Sequence, residues 1–222
     1  SHGFDNVTVS GDTRFDRVME ICSAPKDIAV AKHFRGDDKV MVVGSSWPED
    51  MDVLLPTIND PKHLLKFIIA PHEVEASKIQ QLCQSISMDF QRFSTYKSTE
   101  NPCKVLIIDN IGMLSSLYQY GDLAYIGGAF GEGLHNTLEA ATYGMPVLFG
   151  KGKDNKKYQE SMDLVAIGGA FEVADANECR KVIDGLLDNG GEMGRASAVS
   201  REYVRSKTGA TKIIEEFLSV YL

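Results

Sequence analysis

The sequence predicts an α/β protein: a mostly parallel sheet of about six strands with helices on both faces. Three observations carry this. Short apolar runs bounded by Gly, Pro or Asp alternate with stretches of helical periodicity along most of the chain. Runs such as KVMVVG at 39–44 and VLII at 105–108 are apolar at nearly every position, the pattern of strands buried on both faces. The stretch from Leu123 to Gly150, LAYIGGAFGEGLHNTLEAATYGMPVLFG, reads by itself as strand, glycine loop, helix and strand.

In chain order, residues 6–10 alternate like a short strand, and Gly11-Asp12 lead into a helix, TRFDRVMEICSA, that stops before Pro25. Residues 26–34 mix periods and are expected to be irregular. After the strand at 39–44, Trp47-Pro48-Glu49-Asp50 starts a helix, with Pro in its first turn and two acids at its positive end; it should run to Leu55, where Pro56 disturbs it. A second strand-helix unit follows, strand 64–70 broken by Pro71-His72 and helix 73–85. Residues 90–96 suit a short strand within a connection. The strand at 104–108 leads to a helix over 112–120. In the central stretch, strand 123–126 stops at Gly127-Gly128, and a helix opens near Asn136 or Thr137 and closes at Gly144. Strand 147–149 is followed by the basic loop 151–155, a helix over 158–167 ended by Gly168-Gly169, and a last strand at 171–173. Helices over 177–187, 191–206 and 210–221 form the tail. This is a Rossmann-like arrangement in one domain, residues 1–222, whose ligands should gather at the carboxyl ends of the strands.

Composition excludes several classes. A 222-residue chain that is 43% hydrophobic has ample material for a core. A formal net charge of -8 argues against a general nucleic-acid binder. Cys22, Cys83, Cys103 and Cys179 are scattered without a CxxC or Cys/His cluster, which favours reduced thiols as apolar filler over a disulfide frame or zinc site. No run approaches the length of a membrane-spanning helix, and no signal pattern opens the chain, so this piece is expected to be soluble. Ser1-His2 reads as a leftover of an expression tag, and the missing initial Met suggests a fragment.

The strand ends bring Ser45-Ser46, Pro71-His72, 109–113, 127–139 and 150–153 towards one edge. Glycines 127, 128, 131 and 133 spell neither GxGxxG nor GxxxxGK[ST]. They suit either a phosphate cradle or plain turns. Glu139 follows Asn136 by one helical turn, so the pair can hold a ribose diol or form a capping box. His135 can touch a phosphate or satisfy the turn, and Ser45 and Ser46 can donate hydroxyls or cap a helix. His33 and His72 lack Ser/Asp partner spacing, and Asp37-Asp38 read as a solvated turn. No metal is expected.

With those residues in view, the chain resembles the C-terminal, donor-binding half of the bacterial 3-deoxy-D-manno-octulosonic acid (Kdo) transferases, glycosyltransferases of the GT-B type. The resemblance rests on VTVSGDTRFDRV at 7–18, VVGSSWPED at 42–50, IIAPHEVE at 68–75, IIDNIGML at 107–114 and above all YIGGAF..GLHNTLEAATYGMPVLFG at 125–150. It implies inverting transfer of Kdo from CMP-Kdo to a lipid A precursor at the cytoplasmic face of the inner membrane. Residues 1–24 would link to an N-terminal acceptor domain that carries the catalytic base, and this half alone would be inactive and need no cofactor. Glu139 would hold the CMP ribose, Asn136 and Ser45 the phosphate or the sugar acid, and Ile111, Gly112 and Met113 the cytosine. Ser46, His72, Gly133 and His135 complete the implied donor site. Departures from the family pattern are Leu134 for Gly, Thr137 for Pro, Trp47 for His and His72 for Arg. A guanidinium is the better phosphate fork, and Lys151 or Lys153 are candidates to compensate. Two other readings stay open, a UDP-sugar transferase or epimerase of the same fold and a non-catalytic Rossmann-like scaffold.

Overall fold

The computed structural model describes residues 7–98 and 103–219. The chain opens with two helices, α1 (Thr13–Ser23) and α2 (Ala29–Arg35), and then alternates. Strand β1 (Val40–Ser46) leads to α3 (Pro48–Ile58), β2 (Lys66–Pro71) to α4 (Ala76–Ser85), and β3 (Phe90–Arg92) to a 3-10 turn. Next come β4 (Val105–Ile107), α5 (Leu114–Leu117), β5 (Leu123–Ile126), α6 (Leu138–Thr142) and β6 (Val147–Gly150). The chain ends with α7 (Gln159–Ile167), β7 (Ala170–Val173), α8 (Ala176–Asp188), α9 (Gly190–Ser206) and α10 (Ala210–Leu218).

The sheet has seven strands in the order β3-β4-β2-β1-β5-β6-β7, one more than the six expected, because residues 90–92 pair with β4 as an edge strand. All its pairings are parallel. Successive residues of β1 point into two different cores. Val40 and Val42 meet Phe15, Phe34, Leu117, Leu138 and Val204 on one face. Met41 and Val43 meet Leu54, Ile58, Ile79 and Ile183 on the other. Strands apolar at every position are therefore what this sheet requires.

Several expectations are corrected. Residues 7–10 form no strand; Val7 and Val9 are 70% and 87% exposed, with no neighbouring strand to use their alternation, and Asn6 lies outside the described residues. Residues 29–35 are helical because Ala31 and Phe34, one turn apart, both enter the core, and Gly36 at φ 53° ends the turn. Pro56 does not stop α3. It sits on the exposed side, and Asn59 N–H still bonds Leu55 O at 2.8 Å. Leu64 is exposed and β2 starts at Lys66; the helix expected over 112–120 is one α-turn followed by a 3-10 turn. Ser1, His2 and Tyr221 lie outside the described residues.

α1 is part of this packing. Phe15 and Val18 are core residues, Arg14 bonds Glu160 at 2.8 Å, and Asp16 accepts N–H groups of Gly209 and Thr211 at 2.6 and 2.8 Å, capping α10.

Candidate functional site

Strand order reverses between β1 and β5, the place where an open parallel sheet leaves a crevice at its carboxyl edge. There β1 ends in an irregularity. Its register with β2 shifts between Gly44 and Ser46, and Ser45 has φ 51°, the one positive value at a non-glycine among the described residues. Such strain persists only where the surroundings hold it, and here they do. Gly127 N–H bonds Gly44 O at 2.9 Å, and a Cβ on Gly127 would run into Ser45 O and come within 2.6 Å of Asp50 Oδ2. Gly127 is thus the contact that lets the two strand ends close.

Asp50 fastens them. It is fully buried in the first turn of α3. Its carboxylate accepts Trp47 N–H and Gly128 N–H at 2.9 Å each and Tyr125 OH at 3.0 Å. Burial pushes its pKa up, while the three donors oppose that shift. Sequence reasoning took Asp50 for an ordinary helix-start acid; an acid just after a strand end, in a sheet whose strand β5 carries Tyr125, was the available signal.

The loop after β5 folds back on itself. Gly131 and Gly133 N–H both bond Gly128 O, at 3.2 and 2.8 Å, and His135 N–H bonds Gly127 O at 3.2 Å. With Gly128 N–H held by Asp50, these amides are occupied, so the glycines make the turn, with φ of 95° at Gly128 and 106° at Gly133. The helix beyond is only five residues long and starts at Leu138, later than expected, with Asn136 Oδ1 accepting Leu138 N–H at 3.0 Å.

Glu139 does not form the capping box. Its Oε1 lies 3.5 Å from Asn136 Nδ2, a side-chain contact that leaves the Asn136 backbone amide aside. The carboxyl is half-buried, and burial raises its pKa against the pull of Asn136. A desolvated carboxylate with one weak neutral partner retains acceptor capacity for a ligand hydroxyl.

Three rings gather at the strand ends. Trp47 Nε1 lies 3.2 Å from His135 Nε2, and His72 stacks on both, with centroids 4.4 Å from Trp47 and 4.7 Å from His135. Burial, aided by the neighbouring His72, pushes His135 below the usual imidazole range. Ser46 is 4% exposed, and its Oγ has no hydrogen-bond partner among the described residues. It lines a cavity of about 190 Å³ between α3 and α4 with Met51, Leu55, Pro71 and Leu82. Beyond β4, Ile111 is 80% exposed, Gly112 takes φ 83°, and Met113 is half-buried against the core. Asp109 is held by Arg92 and Ser94, at 2.8 and 2.9 Å. The structure therefore unites Trp47, His72 and His135, and separately Asn136 and Glu139. Among the described residues no hydrogen bond or ring contact joins 111–113 to either group. Lys151 and Lys153 are exposed on the loop after β6.

No family model matches the chain. Among curated proteins it is 31% identical over 156 residues to the 3-deoxy-D-manno-octulosonic acid transferase of Chlamydophila psittaci, covering 69% of this chain and 35% of that one. It is 25% identical over 227 residues to the transferase of the same name from Rickettsia bellii, covering 98% of this chain and 52% of that one. The chain thus spans about half or less of the length of these relatives. Among solved structures it superposes on the C-terminal CMP-Kdo binding domain of WaaA from Acinetobacter baumannii with a TM-score of 0.65 at 18% identity, covering 86% of this chain and 97% of that one. The likeness extends the shared Rossmann-like fold over that whole domain.

Proposed function

The chain belongs to the 3-deoxy-D-manno-octulosonic acid transferases, and from that premise we propose that it is the donor-binding half of an inverting GT-B glycosyltransferase that moves Kdo from CMP-Kdo to a lipid A precursor. The observation that carries the reading is Glu139, a half-buried carboxylate free of the capping box, one turn from Asn136 at the edge where the strand order reverses. Glu139 binds the ribose diol, Asn136 and Ser45 hold the phosphate or sugar acid, and the exposed apolar side chain of Ile111, with Gly112 and Met113, covers the cytosine.

The reaction exchanges the anomeric bond to CMP for a bond to the acceptor oxygen, so it needs a base for the acceptor proton and donors for the departing phosphate. Here Asp50 is saturated by three donors and His135 Nε2 is engaged by Trp47. As the family resemblance implies, the base belongs in this reading to a preceding acceptor domain, reached through residues 1–24, and residues 1–222 form one donor domain. The complete protein works on lipid at the cytoplasmic face of the inner membrane; among the described residues no helix is long and apolar enough to cross a membrane.

Calorimetric titration with CMP and with UDP tests the donor. CMP should bind more tightly; preference for UDP sinks the Kdo donor in favour of a UDP-sugar. Kdo transfer by the isolated chain would refute the half-enzyme reading.

A further inference from the structure

Trp47 and His135 meet edge to edge, with 3.2 Å between Nε1 and Nε2. An indole nitrogen donates and never accepts, so Nε2 of His135 is the acceptor and the neutral ring carries its proton on Nδ1. His72 lies nearly parallel to both rings, tilted 21° from Trp47 and 26° from His135. Two rings hydrogen-bonded to each other cannot stand on opposite faces of a third. Both therefore lie on the same face of His72, which covers the pair. The three side chains come from the ends of β1 and β2 and the loop after β5, so the cluster spans the crevice where the strand order reverses.

We propose that Trp47 is a positioning residue that fixes His135 in its Nδ1–H tautomer, so that the loop after β5 presents the phosphate of a nucleotide sugar with an uncharged donor of fixed direction. The proposal rests on the donor-site reading above and names the residue that orients one of its contacts. Nδ1 has no partner among the described residues, which leaves it available. Protonating His135 would set an N–H against the indole N–H, so the charged ring forfeits this bond. Burial and the stacked His72 act in the same direction. Asp50, tied to this turn through Gly128 N–H, is also engaged by Trp47 N–H and Tyr125 OH. The amides of Gly127, Gly128, Gly131, Gly133 and His135 are already bonded within the protein, so a side-chain donor takes on a role these glycines would otherwise fill in a phosphate cradle.

Nitrogen-15 NMR of the histidine rings tests this on the intact chain near neutral pH. The wild type should show His135 with a pyrrole-like Nδ1 and a pyridine-like Nε2. Trp47→Phe keeps an aromatic ring but removes the donor, and should move His135 towards the Nε2–H form usual for free imidazole. CMP affinity should fall about fivefold, the loss expected for one neutral hydrogen bond. His72→Ala removes the cover and keeps the bond, so the wild-type pattern should persist. An unchanged His135 pattern in Trp47→Phe overturns the lock, and so does its loss in His72→Ala. A changed pattern with unchanged CMP affinity overturns the link to the ligand. If the wild type binds neither CMP nor UDP while the pattern shifts as described, the donor-site reading fails and the lock between Trp47 and His135 stands.

Discussion

Asp50 Oδ2 accepts the backbone N–H of Gly128 at 2.9 Å, joining the first turn of α3 to the glycine turn after β5. The same carboxylate takes Trp47 N–H and Tyr125 OH, so one buried side chain holds both sides of the crevice. Asp50→Ala strands three donors in a site without water access. Unfolding in urea should show a loss of about 2–3 kcal/mol in stability, the cost of leaving buried donors unmet. A change below about 0.5 kcal/mol would mean that the turn is held by its own backbone bonds.

Glu139→Ala separates a ligand contact from a fold contact. Its partner in the structure is a single long contact to Asn136, so its removal should leave the unfolding midpoint nearly unchanged. Nucleotide affinity should drop by about 1–3 kcal/mol, measured by calorimetry with CMP. Unchanged affinity would favour the scaffold reading, in which the carboxylate binds nothing.

Gly127→Ala tests the close approach of β1 and β5. The new methyl would collide with Ser45 O and crowd Ser46 Cα at 2.7 Å, both backbone atoms that cannot turn aside. The strand ends must part, so the variant should lose about 1–3 kcal/mol of stability and its CMP binding together. Circular dichroism melting and calorimetry on the same sample would expose either loss without the other.

Acid should weaken the fold through two neutral histidines. His63 donates from Nε2 to Asp184 at 3.0 Å and accepts Leu65 N–H on Nδ1 at 3.3 Å, so adding a proton breaks the second bond. Burial pushes its pKa down, against the pull of Asp184, and His135 is lowered likewise by burial and His72. Both folded values lie below the unfolded one, about 6.5, so the unfolded chain takes up protons first. Their stabilisation is complete above that pH and fades as the pH falls through the folded values. Urea midpoints should decline over that interval, and His63→Gln should flatten the decline; a midpoint constant down to about pH 5 would contradict it.

How much of this is legible in the sequence follows from which forces are local. The strands and their parallel pairing are readable because burial on both faces demands apolar residues at every position, as in Val40 to Val43. Gly144 and Gly168 mark helix ends through their φ of 75° and 78°, a backbone property the residue itself announces. α2 is hidden because its seven residues are held by Ala31 and Phe34 meeting a core built from distant strands. The site is half legible. Asn136 and Glu139 are one turn apart in sequence, and the choice between capping box and side-chain contact depends on where a five-residue helix starts. The ring cluster is legible only in part: the strand ends put His72 and His135 at one edge, while the contact of Trp47 with both depends on the register of three strands and the kink at Ser45.

The position of β1 also orders events during synthesis. Val42 pairs with Ile68 on one side and with Ala124 on the other, so β1 to β4 complete one wing while the far edge of β1 stays open. That edge waits for β5, a closure between distant parts of the chain and hence a slow step. Until it occurs, an apolar strand with unpaired amides is available to any other nascent chain. The crevice at the β1–β5 junction exists only after the two wings have joined, so the proposed nucleotide binding would report that closure and no earlier stage.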